Sequence, residues 1–285
     1  MVAVVAAIAI IFLAVLAKYA MQDIERKLAV QTGVNKALTK IDTALANFVA
    51  QNKRLPCPAN GTIASGLGNA GVENPYPPTG VCALNQIDGV VPWVTLGISE
   101  TDAMDPWNGR ITYRVQPALA SSITKLMDMS WCDPAGIPTG ASGVALACTP
   151  GCVGAACMSA LNYLYSKGLQ VQDGTGIWLN NPSPLWAGAP VPPPPNSTGA
   201  AYVLISHGPS GAGAHNRGGG PVQPGSAVVG TNEMPNFANR ALTGATIFID
   251  AQSNTTNTLA DFDDYLHHPT ITSVLNSVSL GTRSH

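Results

Sequence analysis

Charge is scarce in this chain. Lys, Arg, Asp and Glu make up only 11% of the 285 residues, and the net charge is −2, against roughly a quarter charged in an ordinary soluble domain. Aromatic residues are few as well, at 6%. No basic stripe with interleaved aromatics occurs, so nucleic acid is not an expected partner. Proline is missing before Pro56, and Gly33 is the only glycine in that stretch. Nothing charged or polar precedes Lys18: Met1 to Ala17 reads MVAVVAAIAIIFLAVLA. A run of that kind without a helix breaker is helical, and its all-round apolar surface needs lipid or the inside of a helical assembly.

The polar continuation is more informative than the run itself. Beyond Lys18 apolar residues recur at Ile24, Leu28, Val34, Leu38, Ile41, Leu45 and Phe48. Steps of three and four, with one longer gap, place them on one helical face that should pack on a domain. Asp23, Glu25, Arg26, Lys27, Lys36, Lys40 and Asp42 fill the opposite, solvated face. The spacing predicts one helix over 1–53: 1–17 apolar all round, 18–53 amphipathic, roughly 75 Å in all. With 29 Gly and 23 Pro, residues 54–285 should form a loop-rich, β-leaning domain.

This N-terminal stretch resembles the first helix of type IV pilins and of type II secretion pseudopilins. Their mature chains open with Phe-Thr-Leu-Ile-Glu and then a segment much like Met1–Ile10. Here no leader, cleavage glycine or early glutamate is present, and position 5 is Val5. The expectation is a start about six residues inside the family's mature form. The alternative is a subunit that lacks the glutamate. Six more residues would lengthen the apolar run to about 23, closer to what a bilayer core of about 30 Å requires. Lys18, Arg26 and Lys27 all lie after the run, which by the positive-inside rule alone would leave the domain in the cytoplasm. A missing basic leader would reverse that orientation.

The six cysteines, Cys57, Cys82, Cys132, Cys148, Cys152 and Cys157, favour the reversed orientation. An even number outside the apolar run points to disulfides in an oxidising compartment. Free thiols and zinc are the competing readings, but C-x3-C-x4-C over 148–157 departs from the C-x2-C knuckles of zinc sites. Cys57–Cys82 is the natural pairing, closing a loop just after the helix. The connectivity of the other four stays open.

Along the chain, Asp105-Pro106-Trp107-Asn108-Gly109-Arg110 leads into an alternating strand, Ile111–Val115. Asp-Pro-Trp-Gly followed by a Tyr-bearing strand is similar to the segment after the helix in major pseudopilins, with Asn108 as an extra residue. Residues about 117–200 read as an insertion, with helices over 118–129 and 155–167, a strand over 176–179 and a proline-rich strap over 182–195. Ala200–Ser206 is a buried strand, Thr246–Asp250 another, and Ile271–Val278 a terminal strand or short helix. The strand running into Ser206-His207-Gly208-Pro209-Ser210, with Phe262-Asp263-Asp264 later, resembles the C-terminal half of a group of large pilin-like proteins.

Chemistry is thin. Gly208-Pro209-Ser210-Gly211-Ala212 misses the G-x-S-x-G spacing of a nucleophile elbow, so His207 reads as a residue of a glycine-rich turn and no catalytic residue is assigned. His207, His215, His267 and His268 include no helical H-x3-H pair. Asp261, Asp263 and Asp264 gather hard oxygen ligands of the kind calcium takes, without the EF-hand pattern. Major pseudopilins carry calcium in a C-terminal loop, and a solvated acidic turn is the plainer alternative. No other cofactor is expected.

The resemblance implies an α+β, type IV pilin-like fold: a long N-terminal helix on an antiparallel sheet, with a large disulfide-bearing insertion. It implies a structural subunit, minor or at the tip, of a type IV pilus or type II secretion pseudopilus. Its partners would be sister subunits through the helix, and the inner membrane before assembly. N-terminal methylation would follow processing, and the domain would be periplasmic or carried outside on the filament. The alternative is a periplasmic binding protein or enzyme whose first 17 residues are a signal or anchor. Val15 and Ala17 satisfy the small-residue rule for that cleavage.

Overall fold

The computed structural model describes residues 2–75, 82, 89–123, 125–130, 167–182, 199–220, 233–237, 247–253 and 262–281, with side chains for all but 2–11, 13, 14 and 23. Helix α1, Val2–Asn52, is unbroken, as the absence of proline requires. Lys53 leaves it with φ 59°, and Pro56 and Pro58 carry the chain on in extended form. Among the described residues no helix is long and apolar enough to cross a membrane. Most side chains of the uncharged run lie outside that set.

A five-stranded antiparallel sheet lies along the second half of α1. Its strands are β1 (Ala59–Asn60), β2 (Gly89–Val90), β3 (Thr112–Val115), β6 (Tyr202–Ser206) and β8 (Tyr265–His267), in the order β1-β2-β3-β6-β8. A second sheet, β5-β4-β7, combines β4 (Gln170–Asp173), β5 (Trp178–Asn180) and β7 (Ile247–Asp250), with β4 and β7 parallel. Helix α2, Ile271–Ser277, closes the described chain; Thr270 caps it by accepting from the Ser273 amide at 3.1 Å.

The layers explain the strand sequences. Tyr202 and Leu204 join Ile111, Tyr113 and Val115 in the core under α1, whereas Val203 and Ile205 face the other way and pack with Val171 and Phe248 of the second sheet. Strand β6 is therefore covered on both faces, which is why it reads as a continuous apolar run. The same coverage buries Thr112 and Arg114, the polar face of β3. One outer edge of the second sheet is closed by a side chain. Asn236 donates to the Ile249 carbonyl at 2.8 Å and accepts from the Ile249 amide at 3.0 Å, imitating a neighbouring strand.

The helical stripe is half as expected. Val34, Leu38, Ile41 and Leu45 are buried in the main core, Val49 joins them, and Phe48 is half-buried. Ile24 and Leu28 do not belong to it: each is 57% exposed. The reason is position along the axis: every described side chain from Phe12 to Ala29 is exposed, including Lys27, which lies two turns before Val34 on the same face. Gly33, at the start of the buried stripe, lets Pro106 come close; a Cβ there would sit 3.1 Å from the Pro106 Cγ.

The expected Cys57–Cys82 bond is present, with Cα atoms 5.5 Å apart. Cys132, Cys148, Cys152 and Cys157 lie outside the described residues, as do most of the expected helix over 155–167 and the proline strap. The helix expected over 118–129 does not form. A single 3-10 turn, Pro117–Ala120, is followed by turns, with Met127 N–H given to the Lys53 carbonyl and Met129 N–H to that of Leu280. Those long-range partners outcompete helical hydrogen bonds in a segment that Pro117 opens. Within the stretch read as an insertion, β4 and β5 share a sheet with β7 from beyond it.

Candidate metal centre

Glu233, Asp263 and Asp264 each bring one carboxylate oxygen within 4.8 Å of the others, and all three are buried. Their positions follow from the local chain. Strand β6 ends at Ser206, and residues 207–214 curl back over the segment that precedes β8. Gly208, at φ 54°, permits this: a Cβ there would lie 2.3 Å from the Asp263 carbonyl oxygen. Ser210 then gives Asp263 its amide at 2.8 Å and its hydroxyl at 3.0 Å. Glu233 accepts from the Asp263 amide at 2.9 Å. Asn236 donates to Asp264 at 2.9 Å.

All these donors are neutral. Among the described residues the one basic group at ion-pair distance is His207, whose Nδ1 lies 3.3 Å from Asp264 Oδ1. That contact lacks hydrogen-bond geometry, so Nδ1 is a buried polar atom without a partner, while Nε2 pairs with the Thr112 hydroxyl at 2.9 Å. Two carboxylates about 4 Å apart repel by about 4 kcal/mol even at an effective dielectric of 20. Three cannot all stay ionised here without a proton or a cation among them. Glu233 is the carboxyl best placed to hold a proton. Burial, then a hydrogen bond with the Asp263 side chain, push its carboxyl up to about 8. The three carboxylates also fit a hard divalent cation held by Glu233, Asp263 and Asp264. Such an ion takes six to eight oxygens in the case of calcium, so water would complete the shell.

Of the expected ligands, Asp263 and Asp264 meet and Asp261 lies outside the described residues. Glu233 escaped the sequence reading because it sits in a Gly/Pro-rich loop 30 residues from Asp263. A signal was there: it is the only acidic residue between Asp173 and Asp250. The histidines do not gather. His215 Nδ1 faces the Gly220 carbonyl, His267 faces Asp42, and His268 lies between Asn180 and Asp250. Nor do Ser and His pair for hydrolysis. The Ser206 hydroxyl is given to Asp105 and that of Ser210 to Asp263, and His207 is fully buried against Thr112.

The two ways of neutralising the trio are separable by pH. A carboxyl whose folded pKa is raised holds its proton more tightly in the folded chain. Rising pH therefore favours unfolding between the ordinary 4.5 and about 8. In chelator the Tm is expected to fall across that window; with millimolar calcium the fall should flatten. A Tm indifferent to calcium throughout would leave the proton as the trio's partner.

No protein-family model, curated protein or solved structure matches this chain.

Proposed function

We propose that this chain is a structural subunit of a pilin-like filament, a type IV pilus or a type II secretion pseudopilus, assembled through α1. The observation that carries the reading is the division of one unbroken helix. Its second half supplies Val34, Leu38, Ile41, Leu45 and Val49 to the domain core. Its first half leaves Phe12, Val15, Leu16, Tyr19, Met21, Ile24 and Leu28 exposed among the described residues. Large apolar side chains at 44–66% exposure on a single projecting element call for a partner. A signal peptide that is cut away has no need to continue in the same helix as the domain's core.

Under this reading the helix rests in the inner membrane until assembly, and the domain stays on the oxidising side, where Cys57–Cys82 can persist. The work is cohesion between subunits rather than catalysis. Cell fractionation tests it. The chain should be recovered from inner membrane and from sheared filaments. Recovery solely as a free periplasmic protein beginning near Lys18 would return the chain to the alternative, a secreted binding protein or enzyme.

A further inference from the structure

Glu73 forms part of the wall of a cleft of about 160 Å³, lined among the described residues by Asn60, Ile63, Asn69, Val72, Glu73 and Asn74. Bonds already made fix its shape. Asn60 Oδ1 accepts the Thr62 amide at 2.9 Å and the Thr62 hydroxyl at 2.8 Å. Val72 gives its amide to the Asn69 carbonyl at 3.2 Å, and Asn74 gives its own to the Pro58 carbonyl at 3.1 Å. Glu73 bridges to Ala59 and gives its amide to the Thr95 hydroxyl at 2.9 Å. A cleft held this way is in place before a ligand arrives.

What the cleft leaves open is neutral. Both Glu73 carboxylate oxygens are taken, by Arg54 and by the Cys57 amide. No other charged group lines the space among the described residues. A charged ligand would give up its hydration there and meet no opposite charge. No aromatic ring lines it either, so a flat heteroaromatic ring has nothing to stack on. With Oδ1 already engaged, Asn60 offers the two N–H donors of Nδ2. Asn69, exposed and held at φ 67°, adds an amide oxygen and two more donors. Ile63 and Val72 supply apolar lining.

We infer that this cleft binds one neutral sugar ring, as a free monosaccharide or as the terminal residue of a glycan. Sugar hydroxyls both give and accept, which suits clustered amides, and the C–H faces of the ring suit Ile63 and Val72. The cleft has about half the roughly 300 Å³ at which drug-sized sites begin, which favours one ring over a chain of them. The inference does not rest on the filament reading. A sugar site would serve a filament subunit and a periplasmic binding protein alike.

Nuclear magnetic resonance on the full chain tests this, in a detergent without a sugar headgroup. The probes are glucose, galactose, mannose and N-acetylglucosamine, each free and as its methyl glycoside. At least one should shift the side-chain amide signals of Asn60 and Asn69 and saturate with a millimolar Kd. Asn60→Asp keeps the oxygen that caps Thr62 and removes the donors. Asn69→Gly keeps the positive φ and removes the amide. Each should raise Kd roughly five- to tenfold, read from the amide that remains, with an unchanged near-UV circular dichroism spectrum. Methyl glycosides that bind as well as the free sugars would assign the terminal residue of a glycan. Binding of free sugars alone would assign a monosaccharide. No shift with any probe at about 100 mM, or a parental Kd in both folded variants, would overturn the site.

Discussion

Leu45→Asp is expected to abolish the cooperative unfolding of the domain. Leu45 is fully buried on the helix side of the main core, in a cluster that includes Ile41, Val49, Tyr113, Tyr202 and Leu204. Truncating such a leucine costs about 2 to 5 kcal/mol through lost burial and the cavity left behind. A carboxylate in its place adds several more, because the side chains packed there are apolar. Against a total stability of about 5 to 15 kcal/mol the sum is disabling. The control is Leu28→Asp, at a position 57% exposed in the single chain, which should move stability by no more than about 0.5 kcal/mol. Near-UV circular dichroism reports the outcome, since Trp93 is packed in the same core. A melt of the Leu45 variant that overlays the parent's would mean that α1 is not part of the domain. Under the filament reading the two variants fail in opposite ways: one cannot fold, the other folds and cannot assemble.

Glu73→Ala should cost about 3 to 5 kcal/mol, the range for breaking a buried ion pair. Arg54 and Glu73 are each about 5% exposed and meet through both guanidinium nitrogens, at 2.8 and 2.9 Å. The same carboxylate accepts the Cys57 amide at 3.1 Å, and the Arg54 side chain also serves the Leu55 carbonyl at 3.0 Å. The pair thus fixes the direction in which the chain leaves α1 and the position of the disulfide. Without Glu73, a guanidinium stays buried over the Phe48 ring with two of its three described hydrogen bonds gone. Arg54→Met with Glu73→Leu should cost less than either truncation, since no charge is then stranded. Denaturant midpoints for the two singles and the double decide it. A single-variant loss below about 1 kcal/mol would mean that water reaches the pair in the folded protein.

How legible all this was depended on whether the cause was local. Helix α1 could be read from missing prolines, and β6 from an apolar run too long for a half-exposed strand. The stripe from Val34 onward could be read because its steps of three and four never break. It failed at Ile24 and Leu28 because every described side chain from Phe12 to Ala29 is exposed, and apolar spacing along a helix does not report where the domain beside it ends. The disulfide was legible because Cys57 sits just beyond the helix end with Cys82 25 residues on. The candidate centre was half legible: Asp263 and Asp264 are neighbours in sequence, but Glu233 reaches them only through the fold. Buried Arg110 was not legible at all. Its guanidinium holds the carbonyls of Gly61 and Ile63, at 2.9 and 2.8 Å, and the Glu100 carboxylate, partners between ten and 49 residues away. The parallel pairing of β4 with β7 has the same origin, since it joins segments more than seventy residues apart.

Asp42 stands near the middle of the buried stripe of α1, and it holds the sheet at two points. It accepts from the Tyr202 hydroxyl on β6 and lies 3.1 Å from His267 Nε2 on β8. With Val34 to Val49 packed beside it, the seam between helix and domain is a long parallel joint with a polar pin at its centre. A pull on the free end of the helix therefore acts along the joint, not across it. Contacts over roughly 20 Å must slip together before any one is lost, as in a lap joint loaded in shear. The Cys57–Cys82 bond lies just past the far end and keeps that end from unravelling first. Such a connection is stiff to tension and weak to peeling, so the domain would stay on its helix when dragged lengthwise and come away most easily when levered sideways.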